Sequence, residues 1–589
     1  MKGFLKTLLA AIIGTFIALF ICGFFFIGII GSLGALTAEE TTIVHPNSIL
    51  RIDFTTPVTE STDATDPLAS LQSFNFSASE SSLGVLHAVN AIEHAATDPN
   101  IEYIYININQ FNIGMAAMEE VRNALVKFRE SGKPIIAYAD NYSTGSYYIS
   151  SVADKIYINS EGMVQMFGLG SNIMFFKDLL EKLGVEVQLI RHGKFKAAAE
   201  QFIASNISKE NLEQNQVMLN SIWDAISSDI VESRGIDKAK FNKLIDNLSL
   251  STVEALLEEK IVDQAITRAE LIDNLCTLSS VDKEKDLNFI SLSKYAKATC
   301  TENYTATNKI AVVYADGEIT MDADEGLSVK RFYHALRNIE ADSTIKAVVL
   351  RVSSPGGDAQ AAEILNKEIQ RIRLKKPVVV SMGEYAASGG YWISANSEKI
   401  YADRNTITGS IGVFSMAMNY GKALKKHLDI NTAAIKTHKH SDMFGGIRPM
   451  DNAEVEFMQT QVETIYTKFM LLVSGGRNLE VDYVDGIAQG RVWTGADGVR
   501  IKIVDEIGGI KDAIQYAASY AELEDYNIEE FPKSKTSLEK LMEKFNSADA
   551  AIKTLQDPYE SIQTAYSDII KEGNNKVFAR LPYVYQFNY

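Results

Sequence analysis

The serines that stand among glycines are the first places in this sequence where chemistry is expected. Ser388 lies in Ala386-Ala387-Ser388-Gly389-Gly390, at a strand-to-helix turn. A serine followed by two glycines can hold its Oγ clear of bulky neighbours, and the Gly389 N–H at a helix start can point at a bound carbonyl oxygen. A second loop, Ser353-Ser354-Pro355-Gly356-Gly357, follows another strand. A backbone N–H from Gly356 or Gly357 would complete an oxyanion hole for acyl transfer by a nucleophilic serine. On local sequence alone, Ser388 reads equally well as a helix N-cap, with the glycines serving tight packing.

A nucleophilic serine needs a base. Of the eight histidines, His438 and His440 sit in Lys436-Thr437-His438-Lys439-His440-Ser441-Asp442. That segment could serve a Ser–His–Asp arrangement or an HxH metal pair, but it reads more simply as a solvated basic loop, and no fixed spacing supports either chemistry.

The elements that must position these residues alternate. A strand-like stretch at 48–54 precedes a polar loop over 59–82, rich in Ser, Thr, Asp and Ala. Helix pattern at 84–97 and strand at 101–108 follow, then helix 115–131, strand 134–139, helix 145–153 and a short strand 155–158. Residues 203–262 read as mostly helical. The pattern then restarts with strand 309–314, helix 328–341, strand 345–352, helix 358–374 and strand 377–381. Short apolar runs alternating with amphipathic helices predict parallel α/β units.

The restart is a duplication. Gly145-Ser-Tyr-Tyr-Ile-Ser-Ser-Val-Ala-Asp-Lys-Ile-Tyr lies against Gly389-Gly-Tyr-Trp-Ile-Ser-Ala-Asn-Ser-Glu-Lys-Ile-Tyr, 244 positions on, with seven of thirteen residues identical. A period this long means two tandem domains and not a solenoid. The halves differ where the chemistry would be. Thr144 stands opposite Ser388, Asn109-Gln-Phe-Asn-Ile-Gly opposite the Pro-Gly-Gly loop, and Val164-Gln-Met-Phe-Gly opposite Thr408-Gly409-Ser410-Ile411-Gly412.

Composition bounds the rest. The chain has 589 residues, 57 Lys+Arg against 75 Asp+Glu, and a net charge of −18. Such length means more than one domain, and the acidic balance argues against wholesale nucleic-acid binding. Three cysteines without a CxxC exclude zinc ribbons and disulfide scaffolds. At the amino terminus, Lys2 and Lys6 precede an uncharged, apolar run over residues 7–38 that ends at Glu39-Glu40. It is longer than a secretory h-region and long enough to span a bilayer, so it reads as an uncleaved signal anchor with the remainder outside.

Taken together, the duplicated unit, the Ser-Pro-Gly-Gly loop, Ala-Ser-Gly-Gly-Tyr-Trp and Thr-Gly-Ser-Ile-Gly resemble the signal peptide peptidase A family in its long, membrane-anchored bacterial form, Ser/Lys peptidase family S49. The resemblance runs from the anchor to about residue 550. It implies an α/β fold of two tandem ClpP/crotonase-like repeats with helical insertions, plus an N-terminal transmembrane helix. The expected division is 1–40 for the anchor, 41–300 for a repeat carrying the general base, 301–550 for a repeat carrying the nucleophile, and 551–589 for a tail. By this resemblance Ser388 is the nucleophile and Lys196, in Arg191-His-Gly-Lys-Phe-Lys196-Ala-Ala-Ala-Glu, the general base, with Lys194 as second choice. Ser410 would orient the lysine, and Gly389 with Gly356 or Gly357 would form the oxyanion hole.

The duplication adds an independent argument. The position 52 or 53 residues after Ser388 is His440 or Ser441, where the first half has Lys196 after Thr144, so each half holds the part the other has lost. A working site would then form across the half–half interface. Such a lysine must be buried to lose its proton near neutral pH, and Phe195 with Ala197-Ala198-Ala199 would supply an apolar surround. The family further implies short hydrophobic peptides and signal-peptide remnants as substrates, a homotetrameric bowl, and a place at the outer face of the bacterial cytoplasmic membrane. Neither a metal nor an organic cofactor is expected. The aromatic tail (Tyr583, Tyr585, Phe587, Tyr589) is expected to cover its own domain in preference to a neighbour. Two other readings are an inactive membrane-anchored scaffold and a crotonase-type acyl-CoA enzyme; the anchor argues against the latter, since coenzyme A is cytoplasmic.

Overall fold

The structure is a computed structural model describing Gly14 and residues 42–62, 82–108, 111–299, 305–323, 326–533 and 577–581. Except for Gly14, the expected anchor lies outside these residues. Among the described residues no helix is long and apolar enough to cross a membrane.

Two sheets share one plan. In the first half, the parallel order starts at Gln264–Ala265 and passes through Lys155–Gln165, Ile135–Ser143, Ile101–Ile106 and Ser48–Ile52 to Asn288–Ser291. In the second half the corresponding order is Glu506–Ile507, Lys399–Ala402, Val378–Ala387, Ile345–Ser354, Lys309–Asp316 and Asn527–Phe531. The strands are near-continuous apolar runs because helices cover parallel sheets on both faces: Ile310 to Ala315 are all buried. The covering helices carry their own signals. Asp358 caps Ala359–Arg373 through the Gln360 and Ala361 N–H groups, and Ala361, Ala362, Leu365, Ile369 and Ile372 form the buried stripe. The helical insertions also repeat. Lys209–Arg234 and Asn452–Arg477 are both 26 residues long, capped by Ser208 and Asp451.

Several strands run past their apolar cores. Ile135–Ser143 continues through a register shift at Ala139/Asn141 and pairs Asn141, Tyr142 and Ser143 with Met163, Val164 and Gln165. Val378–Ala387 likewise ends immediately before Ser388. Polar residues at a strand's carboxyl end can stay in the ladder because the partner strand, and not hydrophobicity, satisfies their backbone. These extensions carry the chain ends up to the site.

The halves are joined by charge and by a shared ribbon. Arg351, fully buried on the second-half strand Ile345–Ser354, pairs with Glu60 at 2.6 Å and Glu120 at 2.7 Å, both from the first half. Arg404 pairs with Glu119 and, at 2.9 Å, with Asp229. Glu384 accepts from the Ala116 N–H at 2.7 Å, and burial followed by the charge of Glu60 pushes its carboxyl up to about 7. Finally, Glu186–His192 of the first half runs antiparallel to Val413–Asn419 of the second. That ribbon aims the residues after His192 at the second half.

Candidate active site

Ser388 occupies the N-cap position of Gly389–Ser394, yet its side chain caps nothing. Its backbone stands at φ 56°, ψ −114°, held by Ser388 N–H to Gly409 O at 2.8 Å and by the Trp392 N–H to Ser388 O at 2.8 Å. A non-glycine residue at positive φ is strained, and such strain at a strand-to-helix turn lifts Oγ out of the capping direction. The first half shows the contrast. There Ser143, at φ −89°, makes a true capping box with Ser146, and Thr144 is an ordinary first-turn residue. The N-cap alternative therefore describes the first half and not the second.

The Oγ instead faces Lys196. Lys196 Nζ lies 2.8 Å from Ser388 Oγ, 3.0 Å from Ser410 Oγ and 3.1 Å from Ser410 O. All three residues are fully buried. Burial alone drives the Lys196 amine well below its ordinary pKa, with no carboxylate to oppose it. A neutral amine fits the contacts: its two N–H groups can donate to Ser410 O and Oγ, leaving the lone pair towards the Ser388 hydroxyl. Ser410 is itself at φ 48°, anchored by its N–H to Arg491 O at 2.7 Å. Phe195, Ala197, Ala198 and Ala199 are buried, the last two packing with Phe414.

The loop 193–196 is seated on a residue that sequence reasoning passed over. Phe195 N–H donates to Gln489 O at 3.0 Å, and Gly490, at φ +82°, passes so close that a Cβ there would stand 2.5 Å from Lys196 Cβ. Gly490→Ala is therefore expected to push the lysine off its station. A displacement of about 1 Å costs on the order of 10²-fold in rate, to be read as kcat/KM beside a thermal melt. Activity within twofold of wild type would show that the backbone can yield there.

The glycine loops meet on the other side of Ser388. A Cβ on Gly356, at φ +96°, would stand 2.7 Å from Gly389 N, so the loop can approach only as glycine. Gly356 N–H donates to Ser354 Oγ at 3.2 Å, and Gly357 stands in register with Ala579 on one side and Ile319 on the other. In the first half the matching space beside Gly145 holds the Phe111 ring, 2.6 Å from where a Cβ would stand.

The other candidates fall elsewhere. Lys194 is exposed, its Nζ 5.2 Å from the centre of the Phe195 ring. His438 is exposed and hydrogen-bonds Thr437 at 3.0 Å. His440 pairs with Glu454 at 2.8 Å, close to Asp451. Those two carboxylates are already used, Glu454 by Arg448 at 2.7 Å and both by the capping box of Asn452–Arg477. The segment is the exposed loop expected: His440 joins a surface ion-pair network, His438 bonds its neighbour Thr437, and the group that meets Ser388 Oγ is Lys196.

A buried serine at a strained strand end, a desolvated lysine and two converging glycine loops define a site for acyl transfer, and comparison with known proteins agrees: the chain is a serine-type peptidase. It belongs to peptidase family S49, whose model matches it twice, at residues 127–282 and 370–524. Protease 4 of Haemophilus influenzae is 34% identical over 478 residues, covering 77% of each chain. Protease 4 of Salmonella typhi is 32% identical over 77% of this chain and 75% of its own. The chloroplastic serine protease SPPA of Arabidopsis thaliana is 28% identical over 79% of this chain and 70% of its own. A ClpP1 mutant of Listeria monocytogenes overlaps 34% of this chain at 14% identity, with a TM-score of 0.23, too low to bear on the fold.

Proposed function

We propose that this peptidase is a membrane-anchored endopeptidase that cuts signal-peptide remnants and other short hydrophobic peptides with a Ser388/Lys196 dyad. The observation that carries the reading is the 2.8 Å approach of a buried, uncompensated lysine to a strained serine from the other repeat. Lys196 takes the hydroxyl proton as Ser388 attacks an amide carbonyl, while Ser410 orients the amine. The developing oxyanion is held by the Gly389 N–H and by the loop of Gly356 and Gly357. Lys196 then returns the proton to the leaving amine, and water releases the acyl group from Ser388. The two repeats, 41–300 and 301–550, act as one catalytic unit, since neither holds both groups.

The apolar run at 7–38 supports a single span with the catalytic part on the outer side of a bacterial cytoplasmic membrane. Assembly into a closed ring, a homotetramer by family resemblance, is supported by a mismatch between the repeats. The strand Glu186–His192 follows the helix Lys177–Leu183, but residues 430–440 after the matching helix Gly421–Leu428 form no strand and are exposed. Conversely, Val413–Asn419 precedes Gly421–Leu428, whereas residues 166–176 form no strand and expose Phe167 and Met174. A second copy placed head to tail would join the two unpaired segments as the ribbon joins their counterparts.

The pH profile tests the dyad. The amine must be unprotonated to act, so activity is lost as pH falls through its lowered pKa. The acid limb of kcat/KM on an apolar peptide is expected well below the ordinary lysine range near 10.4, with hydrolysis already present at neutral pH. An acid limb near pH 10 would show an essential base that burial has not lowered and would remove the desolvated-lysine reading. Preference for unfolded apolar peptides over a folded protein of the same sequence content tests the substrate class.

A further inference from the structure

The helix Lys209–Arg234 of the first half passes beside the site and turns one buried carboxamide towards it, that of Gln214. Gln214 Nε2 donates to Phe195 O at 3.0 Å and to Asn211 Oδ1 at 3.1 Å, and its Oε1 accepts from the Val492 N–H at 3.3 Å. Phe195 belongs to the first half and Val492 to the second. The two main-chain groups that it grips both lead to the dyad. Phe195 O and the Lys196 N–H share one peptide plane, so Gln214 holds the plane from which the Lys196 side chain departs. Arg491 O and the Val492 N–H share another, and Arg491 O accepts the Ser410 N–H at 2.7 Å. Val492 in turn pairs with Gly409, whose carbonyl accepts the Ser388 N–H at 2.8 Å. One side chain thus spans the backbone unit that carries the amine and the unit that holds its serine partners.

The orientation of that carboxamide is fixed. Turned over, Oε1 would face two other oxygens, Phe195 O and Asn211 Oδ1, and the amide N–H groups would face the Val492 N–H. Asn211 is held in its turn: its Nδ2 donates to Glu200 Oε2 at 2.6 Å, and its Oδ1 accepts from Asn215 Nδ2 at 2.8 Å. Glu200 also accepts the Ser208 N–H at 2.7 Å, at the start of the helix. Glu200, Asn211 and Asn215 are buried as well. A buried polar network whose members satisfy one another is rigid and specifies one arrangement. Two charged contacts flank it, Arg191 Nη1 to Lys196 O at 2.8 Å and Arg491 to Glu213 at 3.2 Å.

We propose that Gln214 is a positioning residue for the dyad, clamping the Phe195–Lys196 peptide unit of the first repeat to the Arg491–Val492 unit of the second so that Lys196 Nζ stays on Ser388 and Ser410. The proposal rests on the dyad reading above. Base and nucleophile lie on different repeats, so their separation depends on a link that bonds a C=O on one side and an N–H on the other. A carboxamide offers a donor and an acceptor without carrying charge. A carboxylate in its place would hold the proton on Lys196.

The test measures kcat and KM against pH on an apolar peptide, beside a thermal melt. It uses the full chain in detergent as wild type, Gln214→Met, Gln214→Asn and Ser221→Ala, with Ser388→Ala and Lys196→Ala for reference. Gln214→Met keeps the length of the side chain and removes its hydrogen bonds. It is expected to lose roughly tenfold to a hundredfold in kcat at neutral pH, with KM changed by less than about threefold, because the base is displaced and binding is not. Its acid limb should move up by about one pH unit or more, since a loosened loop admits water and burial is what lowers the Lys196 amine. Gln214→Asn keeps a carboxamide too short to span both peptide units and should move the limb the same way, so it serves where Gln214→Met does not fold. Ser221→Ala removes another contact between the same helix and strand, Ser221 Oγ to Thr494 Oγ1 at 2.8 Å. It should lower the Tm and leave kcat and the limb unchanged. Folded Gln214 variants with a wild-type limb and kcat would overturn the positioning role, and so would failure of both to fold, which would make Gln214 a structural residue. The dyad still stands in those cases if Ser388→Ala and Lys196→Ala are inactive. Hydrolysis persisting in Lys196→Ala would overturn both.

Discussion

Lys196→Met is expected to abolish peptide hydrolysis and at the same time to make the protein harder to unfold. The activity loss follows from removing the only base within reach of Ser388 Oγ among the described residues, and removal of one member of such a catalytic unit costs on the order of 10⁴-fold or more in kcat/KM. Ser388→Ala should cost about as much, and the double variant little more than either single one, because the two groups act as a unit. The stability gain has a separate cause. In the unfolded chain the amine holds its proton up to about pH 10.4, whereas burial lowers its pKa well below that value in the folded chain. Between those two values the unfolded state binds more protons, so this group opposes folding at neutral pH and its penalty shrinks as pH rises. Methionine fills similar space without that penalty. The Tm advantage of Lys196→Met should therefore be clear at pH 7 and fade towards pH 10, with Ser388→Ala showing neither. Hydrolysis by Lys196→Met within tenfold of wild type would remove Lys196 from the mechanism.

The second large effect concerns the joint between the repeats. Arg351→Met leaves Glu60 and Glu120 buried beside each other without their shared cation. Breaking a buried pair from one side costs about 3–5 kcal/mol, because the remaining charge is uncompensated. Burial already raises the Glu120 carboxyl despite Arg351, and loss of the cation raises it further. A carboxyl raised above its unfolded value stabilises the fold only while protonated, so the defect should be worst at neutral pH and smaller near pH 5. Adding Glu60→Gln and Glu120→Gln should recover a large part of the loss. Urea unfolding across pH reads the stability. The kcat/KM reads the second consequence, since Lys196 and Ser388 keep their 2.8 Å separation only while the halves stay docked. If Arg351→Met unfolds like wild type at pH 7, the ion cluster does not hold the joint.

Much of the fold was legible because it is local and repeated. The helices at 85–97, 115–129, 329–341 and 359–373 differ from their expected bounds by one or two residues. The 244-residue repeat announced two sheets, and the strand orders agree along their length. The strand ends were read short, since the continuation at Asp140–Ser143 carries no apolar signal and is held by its partner's backbone. An arginine inside the apolar run of Ile345–Ser354 was a readable sign of a buried ion cluster. Its partner Glu60 was hidden in a segment that composition marks as polar loop.

By itself the sequence determined the two α/β repeats, the glycine-flanked Ser388, and which half had lost which group, because each is written in nearest-neighbour periodicity or at a fixed spacing between the repeats. It could not choose between cap and nucleophile, since both call for a serine ahead of a helix. It could not seat Lys196 either, because the contact closes over 192 residues. Only tertiary structure shows that Ser388 caps nothing and that Lys196 meets it. A backbone at φ 56° turned Ser388 away from its helix, and the Glu186–His192 ribbon with the bare backbone of Gly490 brought the lysine to it. Full burial then lowered the lysine's pKa, an effect of the assembled dielectric that no local spacing encodes.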